Sequence, residues 1–355
     1  MSVKTVDIKI KKAEKSRIAE VDFKNLPFGK IFSDHMFVMD YADGEWKNFE
    51  IIPYGNLSVS PAMSAIHYGQ SIFEGLKAYK NEAGETLVFR PLDNAARLNK
   101  SAERMAIPEV PQELFMEAML TLLEIDKNWV PKELGASLYI RPYIFATDTY
   151  IGIKASDTYK FIIFTCPVGN YYSEPVRVKV EPFYTRAAQG GVGAAKAAGN
   201  YAASIYPARM GQKDGYHQLV WTDALEHKYI EESGTMNIFF VMDGKLLTPA
   251  LNGTILAGIT RDSVISIAKS WNIPVEERKV SIEEIEKGLK ENRVTEAFGA
   301  GTAATIAHIQ LMNVNGADYT LPAIEQREFS NKVLQFLTDL KTGKAEDTFG
   351  WIYKV

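Results

Sequence analysis

The chain has a single cysteine, Cys166, among its 355 residues. One thiol forms no disulfide within the chain and supplies too few ligands for a cysteine-based zinc site. Large proteins of oxidising compartments usually carry disulfides, so this scarcity predicts a reducing, cytoplasmic location. The first residues contain no apolar core of a secretory signal, and the acidic Asp7 and Glu14 disfavour a transit peptide.

Neither sign of charge is in large excess, since 40 Lys+Arg oppose 44 Asp+Glu for a net charge of -4. The positive surplus that drives binding to nucleic acids is missing, and we expect no nucleic-acid partner. No apolar run approaches the roughly 18 residues of a membrane-spanning helix, so no membrane partner is predicted. With 46% hydrophobic residues, the composition is typical of a globular protein with a substantial core.

The order of apolar and polar segments predicts two α/β halves. The segment NYYSEP (170–175) is polar and aromatic, and after it Val176, Val178 and Val180 alternate as in a new strand. At about 100–200 residues per domain, the length also favours two domains. We therefore expect an N-terminal domain over 1–169, a linker over 170–175 and a C-terminal domain over 176–355.

Local patterns predict the main elements within these halves. A strand at 86–90 leads into a helix that reaches Met105, with Asp93 and Asn94 as its expected capping residues. Ser281 and Glu284 form a capping box at the start of another helix. Further helices are predicted at 112–129, 258–272, 281–292 and 323–342, strands at 136–148 and 159–169, and hairpin turns at Asp243-Gly244 and Asn315-Gly316.

The segment from Gln189 to Tyr201 places Lys196 between residues with almost no side chain. Small residues let a backbone approach a planar ligand closely. The segment is not a P-loop, because Ala195 replaces the required glycine and Ala197 the required Ser or Thr. The dinucleotide fingerprint fails as well, since Lys196 occupies its sixth position. A lysine in tight, apolar surroundings has a lowered pKa and can form a Schiff base with a carbonyl. The alternative is an ordinary lysine on a flexible surface loop.

Three other segments support a cofactor held by that lysine, of which pyridoxal phosphate (PLP) is the commonest. This cofactor needs a carboxylate for its ring nitrogen and several donors for its phosphate. Glu231 and Glu232 precede a polar break between strand-like runs, while Gly258-Ile259-Thr260 opens an amphipathic helix and predicts an anion site. The turn at 299–304 adds a hydroxyl. Its G-x-G-x-x-A pattern also fits a dinucleotide site, but a strand and hairpin follow where a helix should begin.

Together with the segments described above, the chain as a whole resembles the branched-chain amino-acid aminotransferases, a class IV family of PLP enzymes of fold type IV. The resemblance covers nearly the whole sequence, and such an ordered series makes chance similarity negligible. Its nine blocks are LPFGKIFSDHM (26–36), HYGQSIFEGLKAY (67–79), FRPLDNAARLNKSAERM (89–105), LYIRPYIF (138–145), CPVGNYY (166–172), the Lys196 segment, EESGTMNIF (231–239), LAGITRD (256–262) and FGAGTAA (298–304).

The resemblance implies an α/β protein of the two-domain α+β type. It has a small N-terminal α/β domain, a larger C-terminal domain with a β-barrel-like sheet, and the cofactor in the cleft between them. The family forms homodimers in which the partner chain lends side chains to each pocket.

The resemblance also implies a cofactor site. Lys196 matches the catalytic lysine that binds the cofactor covalently, Glu232 the carboxylate on the ring nitrogen, and Arg97 the phosphate arginine. The other cofactor-binding residues implied are Tyr201, Thr235, Asn237, Ile259, Thr260 and Thr302.

The substrate pocket implied by the resemblance is largely aromatic. Arg141 shares a strand face with Tyr139, and we expect it to bind the side-chain carboxylate of glutamate; the alternative is a structural arginine. Ile151 and Ile153 match residues that reach the partner's pocket. The full set is Phe28, Tyr68, Phe73, Tyr139, Arg141, Ile151, Ile153, Tyr171, Thr235 and Ala303. Lys77 could be merely a solvated lysine.

The implied reaction is PLP-dependent transamination of leucine, isoleucine and valine with 2-oxoglutarate in a ping-pong double displacement. It gives the branched-chain 2-oxo acids and glutamate. Two other enzymes of the same fold remain alternatives, D-amino-acid aminotransferase and aminodeoxychorismate lyase. The long N-terminal block and the YIRP block favour the branched-chain group over both. A non-catalytic small-molecule binding protein is the alternative outside enzymes, and it would be colourless rather than yellow.

We expect activity to be insensitive to mild oxidation. Some relatives carry a redox-sensing Cys-x-x-Cys pair just after the segment Gly301-Thr302-Ala303, whereas this chain has Ala304 and Ala307 there. The only thiol, Cys166, lies in a strand predicted to be buried. The measurement is the transamination rate after peroxide treatment and again after reductant. A loss that reductant restores would contradict the prediction.

Overall fold

The computed structural model describes residues 6–133, 135–169 and 174–355. Contacts divide the chain into two units. The first comprises Met1–Tyr171, Ala195–Gly199 and Asp339–Val355, and the second comprises Tyr172–Ala194 and Asn200–Thr338. Most of the predicted linker, residues 170–173, lies outside the described residues.

The strands that follow are numbered in chain order. They are β1 (Lys9–Ile10), β2 (His35–Ala42), β3 (Glu45–Pro53), β4 (Ser71–Phe73), β5 (Leu76–Lys80), β6 (Thr86–Phe89), β7 (Ser137–Ala146), β8 (Tyr159–Val168), β9 (Val176–Val180), β10 (Gln218–Thr222), β11 (Ile230–Ser233), β12 (Met236–Met242), β13 (Lys245–Pro249), β14 (Val275–Arg278), β15 (Val294–Gly301), β16 (Thr305–Val314), β17 (Ala317–Thr320) and β18 (Ile352–Lys354).

The helices are numbered in the same way. They are α1 (Ser64–Tyr68), α2 (Pro91–Arg104), α3 (Gln112–Ile125), α4 (Ala198–Lys213), α5 (Ile259–Ser270), α6 (Ile282–Lys290) and α7 (Glu328–Lys341). Short 3-10 turns cover Ile18–Glu20, Lys127–Trp129 and Ile324–Gln326. In the described part of the chain, no helix is both long and apolar enough to cross a membrane.

The first unit is built on one mixed sheet with strand order β1-β3-β2-β8-β7-β5-β6-β18, and β4 also pairs with β7. Its core lies between the sheet and the apolar faces of α2 and α3, where Leu98, Phe115 and Leu122 are fully buried. The last strand comes from the C-terminus of the chain, since Tyr353 of β18 pairs with Val88 of β6.

The second unit contains a closed sheet. Strands β11, β10, β9, β16, β15 and β12 follow one another in hydrogen-bonded order, and β11 pairs again with β12 to complete the barrel. Strand alternation sends the valines of β9 inward, where Val176 and Val178 are fully buried. The predicted α/β class and barrel-like sheet are confirmed.

Most predicted elements are confirmed within a few residues. Ser281 caps α6 by accepting a hydrogen bond from the Glu284 backbone N–H at 3.1 Å. Both hairpin turns form with positive φ, at 52° for Asp243 and 52° for Asn315. The helix expected at 112–129 ends at Ile125, and its last residues form a separate 3-10 turn.

The start of α2 differs from the prediction. The helix begins at Pro91, after Arg90 in a left-handed conformation, so Asp93 and Asn94 lie inside the first turn instead of capping it. Proline suits this position because its missing N–H would have no helical partner there. Asp93 instead accepts a hydrogen bond from Nε of Arg90 at 2.7 Å.

The C-terminal segment joins the first unit, although the sequence boundaries place residues 176–355 in one domain. The pairing of β18 with β6 accounts for this membership, together with a ring contact of 5.8 Å between Phe89 and Trp351. The boundaries at 169 and 176 stay a prediction.

Candidate active site

Lys196 belongs to the first unit, where its backbone N–H and carbonyl both form hydrogen bonds. Its N–H donates to Oγ of Ser101 at 2.9 Å, and its carbonyl accepts from the N–H of Phe73 at 3.1 Å. The next residue, Ala197, forms a β-bridge with Ile72. The side chain is half-buried, and Nζ lies 4.9 Å from the centroid of the Phe73 ring. The segment around this lysine is therefore fixed in place by hydrogen bonds, unlike a flexible surface loop.

The guanidinium of Arg97 projects from α2 and is oriented by a buried carboxylate. Its Nε and Nη2 donate to the two oxygens of Glu74 at 2.7 and 2.9 Å. Glu74 is fully buried and Arg97 is 8% exposed. A two-pronged pair of this kind fixes the plane of the guanidinium. Glu74 was not among the predicted site residues. A carboxylate within the segment FEGLKAY was the signal that could have identified it as a buried partner.

Four predicted substrate residues form one cluster in the first unit, which we call the aromatic wall: Phe28, Phe73, Tyr139 and Arg141. Nη2 of Arg141 donates to Oη of Tyr139 at 3.0 Å, and the guanidinium lies 4.6 Å from the Phe73 ring centroid. The Phe28 and Tyr139 rings meet edge-on at 5.2 Å. Nε of Arg141 is buried and has no hydrogen-bond partner among the described residues.

Two further groups lie in register beside this wall. Lys77 on β5 is paired with Tyr139 on β7, which is paired in turn with Cys166 on β8. Directly opposed residues share one face of a sheet. Lys77 is only 8% exposed, so the interpretation of this residue as a solvated lysine is wrong.

Burial changes the acidity of these groups. It lowers the pKa of Lys77 to about 8, because the charged ammonium loses its water. It lowers the pKa of Lys341 to about 7, with the nearby positive charge of Lys77 as a second cause. Burial raises the pKa of the Cys166 thiol to about 11, so the thiol stays protonated and weakly reactive.

The remaining predicted substrate residues of this unit lie elsewhere. Tyr68 ends α1 and is 43% exposed, while Ile151 and Ile153 lie on the connection between β7 and β8 and are 69% and 94% exposed. Tyr171 lies outside the described residues.

In the second unit, Glu232 is buried among donors. Its Oε2 lies 2.9 Å from Nε of Arg186, and its Oε1 accepts from the Leu256 N–H at 2.8 Å and from Nδ2 of Asn237 at 3.2 Å. The side chains of Arg186 and Glu232 are 7% and 4% exposed. These donors replace the water that the carboxylate loses on burial.

The barrel fold produces this arrangement directly. Glu232 on β11 and Asn237 on β12 are paired across a tight turn in which Gly234 has a φ of 58°. Nδ2 of Asn237 also donates to the Leu256 carbonyl at 2.9 Å. A Cβ on Gly258 would fall 1.9 Å from Oδ1 of Asn237, so only glycine lets this loop approach so closely.

A small pocket opens beside Glu232 within the second unit. Tyr201 and Thr235, which were predicted to bind the cofactor, line this pocket together with Glu232. Asn237 contacts Glu232 but is not part of the lining. The full lining is Arg186, Asn200, Tyr201, Ser204, Glu232, Gly234, Thr235 and Leu256. Neighbouring Glu231 has a separate environment, where its carboxylate accepts from the Thr254 hydroxyl and burial raises its pKa.

The predicted anion-binding residues lie at two turns of the second unit. Gly258 precedes α5 in an extended conformation and, as a glycine, provides no side-chain cap for the helix start at Ile259 and Thr260. Thr302 and Ala303 lie in the turn that joins β15 to β16. The start of a helix offers backbone N–H groups and the positive end of the helix dipole to an anion.

The chain is similar to known proteins in both sequence and fold. The model of the family "Amino-transferase class IV" matches residues 71–311. The chain belongs to the class IV aminotransferase family. It is 47% identical to "Branched-chain-amino-acid transaminase 1" of Bacillus subtilis (strain 168) over 94% of this chain and 95% of that protein. The resemblance drawn from the sequence is confirmed, and the protein is an aminotransferase.

Solved structures show the same fold in this aminotransferase family. A branched-chain aminotransferase of Thermoproteus uzoniensis, crystallised with norvaline, has a TM-score of 0.75 and 28% identity, covering 90% of this chain and 99% of that one. The branched-chain amino acid aminotransferase of Thermobaculum terrenum, described as the PLP-form, has a TM-score of 0.71 and 22% identity, covering 90% and 97%.

Sequence reasoning also missed Arg186 of this aminotransferase. Besides Glu232, it binds two backbone carbonyls, with Nη1 2.9 Å from the carbonyl of Thr254 and Nη2 3.3 Å from that of Gly193. The signal was present as a lone arginine ten residues before Lys196, at the edge of the glycine-rich segment.

The buried ammonium of Lys77 predicts a pH-dependent stability for the aminotransferase. Below pH 8 both the folded and the unfolded chain carry the charge, and the folded state bears the full cost of burying it. Between pH 8 and the ordinary value of 10.5, the folded state releases the proton while the unfolded state keeps it, so stability rises with pH. Lys341 acts in the same direction at lower pH.

We therefore expect Lys77→Met to be stabilised relative to the wild type most strongly below pH 8. This advantage should shrink by up to about 3 kcal/mol as the pH rises to 10.5. Urea unfolding of both proteins at several pH values measures it. Lys100→Met, on the exposed side of α2, controls for the loss of any lysine charge. An advantage that stays constant from pH 7 to 10.5 would contradict the assignment.

Proposed function

We propose that this aminotransferase transfers the amino group of leucine, isoleucine or valine to 2-oxoglutarate, giving branched 2-oxo acids and glutamate. The aromatic wall carries the proposal, because it offers aromatic surface to an aliphatic side chain and one guanidinium to a carboxylate. The names of the relatives in B. subtilis and T. uzoniensis, which refer to branched-chain substrates, support it.

The donor set of the chain fits pyridoxal phosphate. A protonated ring nitrogen requires a buried carboxylate, and Glu232 meets this need at the wall of its pocket. An anionic phosphate requires donors such as the backbone N–H groups at the start of α5. When bound, the cofactor supplies an aldehyde that accepts amino groups and a ring that withdraws electrons from the α-carbon of the substrate.

Lys196 is the catalytic residue of the proposal. Its Nζ would bind the aldehyde carbon and be displaced by the amino group of the substrate. Once displaced, its amino group would move the α-proton of the substrate. The amino group would pass first from the branched-chain amino acid to the enzyme and then from the enzyme to 2-oxoglutarate, and these two half-reactions would make the kinetics ping-pong.

The other residues would hold the cofactor. Glu232, held by Arg186 and Asn237, would keep the proton on the ring nitrogen, and Tyr201 would donate to the phenolic oxygen. The phosphate would be bound by Arg97, the N–H groups of Ile259 and Thr260, and the hydroxyl of Thr302. Thr235 and Ala303 would contact the carboxylate end of the substrate.

The same pocket must accept leucine and glutamate, whose side chains end in methyl groups and in a carboxylate. Burying that carboxylate without a partner is strongly unfavourable. Arg141 is half-buried and keeps one donor, Nε, without a hydrogen bond among the described residues. We propose that its guanidinium pairs with the carboxylate of glutamate or 2-oxoglutarate, and stays on Tyr139 and Phe73 when leucine is bound.

We further propose a cytoplasmic homodimer in which Ile151 and Ile153 of each chain contribute to the pocket of its partner. Their exposure of 69% and 94% supports this assignment, because large apolar side chains on an ordered loop usually meet another surface. Tyr68 and Tyr171 are proposed for the same pocket on the resemblance alone.

Lys196→Ala should lower the steady-state rate of glutamate formation from leucine and 2-oxoglutarate at least about a thousandfold, because no other group replaces the displaced amine. The far-ultraviolet circular dichroism spectrum should not change. Lys213→Ala, at the exposed end of α4, is the matched control and should retain the wild-type rate. A Lys196→Ala enzyme with substantial activity would disprove the central assignment.

Arg141→Met should weaken the glutamate half-reaction by about 2–5 kcal/mol, the range for removing one partner of a buried charge pair. The leucine half-reaction should change little, because methionine preserves an apolar wall. Single-turnover kinetics at the cofactor absorption band measure both. Equal losses for the two substrates would instead mean that Arg141 supports the fold.

A further inference from the structure

The connection between β7 and β8, residues 147–158, combines an apolar tip with a polar interior. Tyr150, Ile151 and Ile153 are 51%, 69% and 94% exposed, which is unusual for large apolar side chains on an ordered segment. We call residues 147–158 the tip loop. Such a loop needs an internal scaffold, because its apolar side chains do not pack beneath it.

The scaffold of the tip loop is the side chain of Asp148. Its Oδ1 accepts from the N–H and the hydroxyl of Thr158 at 3.0 and 2.8 Å. Its Oδ2 accepts from the N–H of Asp157 at 3.1 Å and lies 3.1 Å from Nζ of Lys154. One carboxylate therefore ties together the start and the end of the loop.

The backbone of Asp148 adds two more anchors. Its N–H donates to Oγ of Ser156 at 3.2 Å, and its carbonyl accepts from the N–H of Ser64 at the start of α1 at 2.8 Å. The carboxylate is 12% exposed. Burial alone would raise its pKa, but the hydrogen bonds outweigh this effect and hold the pKa well below its usual range.

The loop tip is shaped by a glycine. A Cβ on Gly152 would meet the ring of Tyr150 at 2.3 Å, so glycine is needed for the ring to fold back over the loop. Nζ of Lys154 lies 5.6 Å from the centroid of the same ring. With Tyr150 folded back, Ile151 and Ile153 remain the outermost apolar groups.

We propose that Asp148 is a positioning residue that pre-organises the tip loop, so that Ile151 and Ile153 reach the substrate pocket of the partner subunit already ordered. This inference rests on the proposed function and homodimer. A loop fixed before association does not lose conformational entropy when the partner binds, and its side chains keep their positions when the substrate binds. Asp148 itself touches no substrate and acts only through the loop.

The first test removes the scaffold. Asp148→Ala should raise the KM for leucine about tenfold while kcat stays within about twofold, since apolar contacts that bind substrate uniformly affect KM. Hydrogen exchange of the amides at 149–157 should quicken in the variant. Asp148→Asn, which keeps one acceptor oxygen, should show an intermediate effect and serves if the alanine variant folds poorly.

Asp157→Asn is the matched control in the same loop. Its side chain contacts Lys154, and its direct contact with Asp148 is made by its backbone N–H, which the substitution preserves. We expect wild-type KM and exchange rates for it. Wild-type loop exchange in Asp148→Ala would overturn the proposal, even if leucine proves not to be a substrate. Failure of the proposed function would appear separately, as a wild-type protein without leucine transamination.

Mixed dimers test whether the loop acts on the partner. In a dimer of Asp148→Ala with Lys196→Ala, the only active pocket receives an intact loop, and the KM should return to the wild-type value. In a dimer of wild type with the double variant, the active pocket receives the damaged loop, and the KM should be high. The opposite pattern would show that the loop serves its own pocket and would overturn the proposal.

Discussion

A carboxylate keeps its charge inside a protein only where donors replace the water it has lost, and the second unit is arranged around this requirement at Glu232. Arg186, the Leu256 N–H and Asn237 supply those donors. Each is placed by a different part of the fold: the segment before Lys196, the loop before α5, and the strand that closes the barrel. The polar centre and the closed sheet therefore depend on each other, since opening the β11–β12 pairing would separate Glu232 from Asn237.

The first unit, in contrast, holds several positively charged side chains close together. Arg141 and Lys77 lie on one face of the sheet and Lys196 lies against the same Phe73 ring as Arg141, while Arg97 is neutralised by Glu74. Aromatic rings accept cations on their faces, which lowers the cost of holding several positive charges close together. The face is consequently suited to substrates that carry carboxylates, and its apolar rings equally suit aliphatic side chains. One surface thus combines the two chemical features that the proposed substrates require.

Local patterns were sufficient for the elements whose signals are local, such as the Ser281 cap, the Asn315-Gly316 hairpin and the helix at α5. The resemblance then placed Lys196, Glu232 and Arg97. The resemblance did not reveal the ion-pair partners of these residues, which lie far away in the sequence, because an ion pair produces no periodic sequence pattern. Glu74 lies 23 residues from Arg97, and Arg186 lies far from Glu232. The burial of Lys77 was also hidden, because a lysine on a strand gives no sign of which face is covered.

The glycines before Lys196 illustrate a subtler limit. Their small size suggested close approach to a ligand, yet a Cβ on Gly193 would lie 2.4 Å from the carbonyl oxygen of Thr254. At this position the space is taken by the chain itself. Glycine here lets two segments of the second unit approach each other, and the same Thr254 carbonyl accepts from Arg186. A glycine-rich pattern indicates that another group approaches the backbone closely, but it does not identify that group as a ligand or as another segment of the chain.

Strand β18 brings the C-terminal segment, Asp339–Val355, into the first unit, so most of the second unit is formed by the chain between that segment and the N-terminal part of the first unit. During synthesis from the N-terminus, the sheet of the first unit can gain its last strand only after all residues up to Lys354 have left the ribosome. The barrel, whose strands end at Thr320, has its whole sequence available earlier. The first unit is therefore completed after the barrel, because the edge of β6 stays unpaired until β18 has been synthesised.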